Sequence, residues 1–219
     1  MTAETEVTTP DACVAFVERV GLCAWSRAAP RFPDLPSLQE ATPWTGDTGA
    51  LMNRTWFWKD DLHLQKRLFY GRILKGGRPA FASLGLLPFL IAAQGDVDPR
   101  DLQEKGRLAR NALTVYEHVE RHGPTATNRL PWPRGSRHLY LAQLQQRFLF
   151  TKHALTGRTR GTYGYVWGLC DEFFPGAFAQ AARLSPEAAR TRLVQDLNNR
   201  GTMLTHVQAG RLLDWPRDA

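Results

Sequence analysis

Seven cations stand between residues 125 and 170: Arg129, Arg134, Arg137, Arg147, Lys152, Arg158 and Arg160, with no Asp or Glu among them. Such a segment suits a polyanion, because each phosphate it neutralises releases condensed counterions, whereas a neighbouring carboxylate would repel the phosphate backbone. The rest of the chain cancels. Residues 1–124 hold 15 Lys plus Arg against 15 Asp plus Glu, and residues 171–219 hold six against six, so the net charge of +7 resides in that one stretch. Gln143 and Gln146 each offer a paired donor and acceptor that fits a base edge, most naturally adenine. Leu62 to Ala82 forms a second acid-free strip carrying Lys66, Arg67, Arg72, Lys75 and Arg78. The adjacent Asp60-Asp61 carboxylates are of the type glycosidic cleavage uses. With no partner assignable from the sequence, they read as the N-terminal cap of a helix that begins after Trp58.

Other chemistries find little support. Cys13, Cys23 and Cys170 are odd in number, lie on apolar segments, and lack the C-x-x-C spacing that zinc favours. They read as reduced, packed thiols, and the sequence implies no metal and no cofactor. The longest apolar run, Leu84 to Ala93, carries Gly85 and Pro88 and is too short to span a bilayer. Met1 to Pro10 is acidic and Thr-rich, unlike a secretory signal, so a cytoplasmic location is expected. Lys75-Gly76-Gly77-Arg78-Pro79 is a turn, well short of a phosphate loop.

The elements that must carry these residues follow from periodicity and punctuation. Asp98 to His122 spaces Leu102, Leu108, Leu113, Val115, Tyr116 and Val119 as one helix of roughly 18 to 20 residues. Gly123-Pro124 ends it, and Thr125 to Leu130 forms a helical turn or two before Pro131-Trp132-Pro133. Ser136 caps a third helix running to about Arg147, with Leu141, Leu144 and Phe148 on one arc and His138, Ala142, Gln143 and Gln146 opposite. Phe148 to Thr156 and Tyr163 to Leu169 read as strands around a Gly157–Thr162 turn. Upstream, Trp56 and Trp58 alternate about Phe57 as a strand would, and Ala80 to Leu84 is a further strand. Downstream, Ala177–Arg183, Pro186–Asn199 and Thr205–Leu213 are helical, with Ser185-Pro186-Glu187 as cap, first position and early acid.

Helix, helix, helix, strand, turn, strand is the order of a winged helix-turn-helix, whose third helix enters the major groove while the hairpin tip lies on the backbone. The cations fall accordingly. Arg134, Ser136, Arg137 and His138 open the third helix, Gln143 and Gln146 face outward from it, and Arg147 closes it. Lys152 lies on the first wing strand and Arg158 and Arg160 at the tip, while Lys66 and Arg67 belong to the upstream strip.

The chain also resembles a known family, the AlkZ-related branch of the crosslink-repair DNA glycosylase (AlkZ/YcaQ-like) superfamily, built from tandem winged helices. The likeness is carried by Phe16-Val17-Glu18-Arg19-Val20-Gly21-Leu22-Cys23 with Leu35-Pro36-Ser37-Leu38, by Thr55-Trp56-Phe57-Trp58-Lys59-Asp60, and by Phe69-Tyr70-Gly71-Arg72-Ile73-Leu74-Lys75. Ser83-Leu84, Leu87-Pro88 and Glu172-Phe173-Phe174-Pro175 extend it over most of the chain. The resemblance implies that catalytic members carry a Gln-apolar-Gln or Gln-apolar-Asp signature near the N-terminal winged helix. No such triplet occurs in the first 100 residues, and Gln143-Leu144-Gln145 matches the letters only inside the third helix.

The fold expected is mainly helical with small β-hairpins (α+β), a tandem winged helix-turn-helix. An N-terminal winged-helix-like domain over 1–97 would precede a winged helix-turn-helix DNA-binding domain over 98–175 and a C-terminal helical segment over 176–219, which resembles a partial helix-turn-helix but equally suits a cover for the first domain or a dimer contact. The function expected is non-catalytic binding of double-stranded DNA in repair or stress response, in a nucleoid-associated setting. Excision of alkylated or crosslinked bases and a protein-protein interaction module are the alternatives. Beyond DNA, a second copy or a repair protein is a candidate partner, and a membrane is not.

Overall fold

A computed structural model describes residues 6–26, 35–42, 48–95, 98–132 and 136–216, with the backbone alone for 48–54. The first helix, α1 (Pro10–Val20), starts where Thr9 accepts the Ala12 N–H and Pro10 fixes the first turn; it buries Cys13, Phe16, Val17 and Val20. Strand β1 (Leu22–Ala24) follows, then α2 (Leu38–Ala41) behind a Ser37 cap, and the long α3 (Thr48–Leu64). Strands β2 (Phe69–Leu74) and β3 (Arg78–Ala82) complete an antiparallel sheet in which β3 lies between β1 and β2.

Both faces of this sheet are covered, and the period of two sorts its side chains. Cys23, Tyr70 and Phe81 point toward α1 and α3, joining Val17, Leu38 and Leu62. Leu22, Ala24, Phe69, Ala80 and Ala82 point the other way. There they meet α4 (Leu87–Ala92) and the C-terminal helices α10 (Pro186–Asn199) and α11 (His206–Leu213), through Leu90, Leu193, Leu197 and Leu212.

The Asp98–His122 segment is two helices, not one: α5 (Pro99–Glu104) and α6 (Arg110–His122). Asp98 caps the first through the Arg100 and Asp101 N–H groups, and Gly106, at φ +67°, makes the break that helical spacing alone conceals. Strand β4 (Thr125–Ala126) and a 3-10 turn (Thr127–Arg129) replace the expected helical turns. Then come α7 (Arg137–Gln146), β5 (Phe150–Gly157) and β6 (Gly164–Leu169). In this second sheet β6 lies between β4 and β5, all antiparallel. Leu102, Val115, Leu144, Phe150 and Trp167 form its core. The short α8 (Cys170–Phe173) and α9 (Pro175–Ala181) lead on to α10.

The backbone therefore carries a repeat that the residues hide. Helix, short strand, short helical piece, helix and hairpin occur twice, and both times the last strand pairs between the other two. The architecture is mixed α+β with small three-stranded antiparallel sheets. No helix of the described residues is long and apolar enough to cross a membrane.

Candidate functional site

Helix α3 reaches the seam between the two units and carries the first half of the site. Residues 55–60 are helical, so the alternation of Trp56, Phe57 and Trp58 is not that of a strand, and Asp60-Asp61 lies in the last turns of α3 rather than at its start. Aromatic bulk on successive positions imitates a period of two. On this helix the aromatics face different neighbours: Trp58 packs in the α1 core, while Trp56 leans on Trp25 and Tyr163.

Asp60 is fully buried and holds three partners that come together only in the fold. Lys59 Nζ donates to Oδ2 at 2.5 Å and Lys152 Nζ to Oδ1 at 2.6 Å, and the Tyr163 hydroxyl donates to Oδ2. Lys59 Nζ also lies 2.8 Å from the Tyr163 oxygen, 3.1 Å from that of Tyr165, and 4.1 Å from the Trp56 ring centre. Among the described residues Lys152 Nζ has one hydrogen bond, to Asp60, and sits between the faces of Tyr165 (4.1 Å) and Tyr70 (4.3 Å).

One carboxylate thus faces two buried ammonium groups. Burial pushes the Asp60 carboxyl up, but the Lys152 and Lys59 charges outweigh it and hold it below the usual carboxylate range. Burial pushes Lys59 down against the pull of Asp60. Lys152 drops further, to about 7, through burial and the nearby Lys59 charge, with Asp60 opposing. Behind it, His63 Nδ1 accepts the Tyr70 N–H, so the ring proton sits on Nε2, toward Lys152 O and Thr151 Oγ1. Burial pushes His63 down to about 3, which keeps it neutral.

Beside the cluster opens a cavity of about 250 Å³. Trp56 and Lys59 line it from α3, and Tyr70 and Arg72 from β2. Thr127 closes one side, His138, Leu141 and Gln145 come from α7, and Lys152, Tyr163, Tyr165 and Trp167 from β5, β6 and the residue before β6. Asp60 is not among the lining residues. The carboxylate stands behind the two amines, and what the cavity meets is aromatic and cationic.

The residues expected at a DNA face are dispersed by the same packing. Strand β2 is a sheet edge whose open groups must be satisfied, and α7 supplies them. Gln145 Oε1 accepts the Arg72 N–H, and Gln146 Nε2 donates to Leu74 O. Gln143 Oε1 accepts the Ala109 N–H, so the amides of Gln143 and Gln146 are engaged by backbone rather than turned to solvent. Arg147 donates to Gln94 Oε1 and Asp214 O. Lys152, 4% exposed, is buried on Asp60. Arg158 pairs with Asp61, and Arg67 with Asp11 at 2.7 Å. Lys66 lies exposed, its Nζ 4.8 Å from the Phe173 ring centre. Ser136 holds the N-cap position of α7, half-buried, without a side-chain cap bond. Arg137, His138 and Arg160 are exposed, and Arg134 falls outside the described residues.

Sequence reasoning missed Lys59, Tyr70, Tyr163 and Tyr165. Lys59 beside Asp60 was a visible signal, since a Lys-Asp step among tryptophans suggests a buried pair, but nothing local joins it to Tyr163, 104 positions away. The three cysteines are buried and free, and burial raises Cys13 to about 12 and Cys23 and Cys170 well above the ordinary thiol range, so all stay protonated. Among the described residues, no group of three or more His, Cys, Asp or Glu is placed to hold a metal.

Comparison with curated proteins and with solved structures finds no match. A family model described as AlkZ related does match, over residues 7–214, which takes in both repeated units, the Lys59–Asp60–Lys152 cluster, the cavity and the C-terminal helices. By that match over nearly its whole length, the chain belongs to the AlkZ-related family.

Proposed function

We propose that this protein binds double-stranded DNA through two winged-helix units and presents the cavity at their seam to it. Membership of the AlkZ-related family associates the chain with DNA repair. The reading as winged helices is supported by the twice-used order of helix, strand, helical piece, helix and hairpin, with the last strand central in each sheet. One observation carries the choice of DNA over a protein partner. Four basic side chains, Lys59, Arg72, His138 and Lys152, line the cavity, and among the described residues no carboxylate does.

Groove reading by α7 is not part of this proposal, because its glutamines are bonded to the protein and Ala142 abuts the β2–β3 turn. Exposed Arg72, Arg137, His138 and Arg160 hold the phosphate backbone. Base excision draws support from the cavity but not from Gln143-Leu144-Gln145, whose amides serve packing.

The test is a duplex titration at two salt concentrations, comparing the native chain with an Arg72→Ala, Arg137→Ala, Arg160→Ala triple variant. Removing three phosphate contacts should weaken binding and flatten the log–log salt slope by about 2.7, from ~0.9 per contact. Unchanged affinity and slope would overturn the proposal. Salt-insensitive capture of a protein would favour the docking-module alternative.

A further inference from the structure

Burying two ammonium groups on one carboxylate is costly, and an apolar packing of the same volume is often as stable or more so. A cluster of this kind beside an open cavity therefore calls for a use. The two lysines are not equivalent. Lys59 is held by Asp60, by two tyrosine oxygens and by the Trp56 face. Among the described residues Lys152 Nζ has a single hydrogen bond, and the carboxylate it would leave keeps Lys59 and Tyr163. Fewer partners hold it in its charged form, so it is the amine that gives up its proton more readily.

Resting on the DNA-binding reading above, we infer that Lys152 is a nucleophile that forms an imine with the ring-opened aldehyde of an abasic deoxyribose in duplex DNA. A sugar stripped of its base is small enough for a cavity of about 250 Å³, which lies just below the ~300–1,000 Å³ of sites for larger ligands. The aromatic walls shield it from water, and Arg72 and His138 are placed for the flanking phosphates. The lysine's drop to about 7 leaves a substantial fraction as free amine at neutral pH.

The step balances. The Nζ lone pair attacks the aldehyde carbon, a C–N bond forms, and one amine proton passes to the former carbonyl oxygen to give a carbinolamine. Loss of that oxygen with the second amine proton, as water, leaves the imine. Nothing is oxidised or reduced until borohydride is added, when hydride converts C=N to a stable secondary amine.

The native chain is incubated with a duplex containing one abasic site, reduced with borohydride, digested and mapped by mass spectrometry. In parallel, free 2-deoxyribose 5-phosphate is reduced with the same protein, and intact duplex is titrated. The expected result is an adduct on Lys152 in the duplex arm, lost in Lys152→Arg, which keeps the charge but has no amine able to form the imine. No adduct, or an adduct on other lysines or the N-terminal amine, overturns the inference, and steep salt-dependent binding of the intact duplex would then leave the DNA-binding reading standing. Labelling of Lys152 by the free sugar but not by the duplex also overturns it, since the cavity would then be reactive yet not reached by DNA.

Discussion

Asp60 accepts from two buried amines and a tyrosine, so its removal and that of Lys152 differ in kind. Asp60→Asn removes the charge that favours protonation of both amines and leaves Lys59 buried without its carboxylate, a loss of roughly 3–5 kcal/mol seen as a lower urea midpoint at pH 7. Lys152→Met leaves a neutral Lys59–Asp60 pair and should cost far less, so equal losses would mean that the cluster is not the unit described. His63 gives a pH signature. Its ring is lowered from 6.5 to about 3 by burial, so between those values the unfolded chain binds a proton that the folded chain refuses. Stability from this group therefore rises with pH across that window and is complete above 6.5. Urea midpoints measured from pH 7 down to 4 should fall less steeply in His63→Asn than in the native chain, even from a lower start. At this scale the sequence was half legible. The cations between 125 and 170 and the Asp60-Asp61 pair were both visible as types, but the neutralising contacts join residues about a hundred positions apart. Local charge counts omit such partners, because Coulomb attraction acts through space.

Helix α7 shows how an element can be read correctly in extent and differently in use. The expected span from Ser136 to about Arg147 matches Arg137–Gln146, and Ser185 caps α10 on the Ala188 N–H as its Ser-Pro-Glu start suggested. The outward glutamine face, however, is the face that satisfies an edge strand, which no periodicity reveals. Gly77 tests that seam. It sits at φ +68°, and a Cβ there would fall 2.7 Å from the Ala142 Cβ. Gly77→Ala combines backbone strain with overpacking and should lower stability by about 1–3 kcal/mol. Thermal unfolding is the measure, and a neutral result would separate α7 from the β2–β3 turn. Arg158 with Asp61 makes the contrasting case, an ion pair with side chains 56% and 30% exposed that ties the β5–β6 turn to α3. Arg158→Ala should change stability by no more than about 1 kcal/mol. The single long helix expected over Asp98–His122 fails at Gly106 because apolar spacing survives a tight turn between two helices that share one core.

Among the described residues three apolar clusters organise the packing, and they divide the chain unevenly. The core around Val115, Phe150 and Trp167 draws only on residues 102–169. The largest core instead joins β1, β2 and β3 to α4 and to α9–α11, so the far face of the first sheet is closed by the C-terminal helices. From the sequence these helices were equally consistent with a cover, a dimer contact or a partial further motif. The choice depends on which faces meet, information that only the assembled sheet supplies. Phe148, Cys170 and Phe174 also belong to this core, so the second unit's outgoing chain is anchored in the first. A chain ended after residue 175 keeps every residue of the second unit's own core but uncovers Leu22, Phe69, Leu90 and Ile91. Each fully uncovered large side chain forfeits roughly 1.5–3 kcal/mol, so four exceed a small unit's share of the usual 5–15 kcal/mol total. Hydrogen exchange on the shortened chain should therefore find β1–β3 unprotected while α6, α7, β5 and β6 keep most of their protection. Protection retained in both sheets would mean that the C-terminal helices merely decorate the first unit, and its stability would have to come from the α1–α3 face alone.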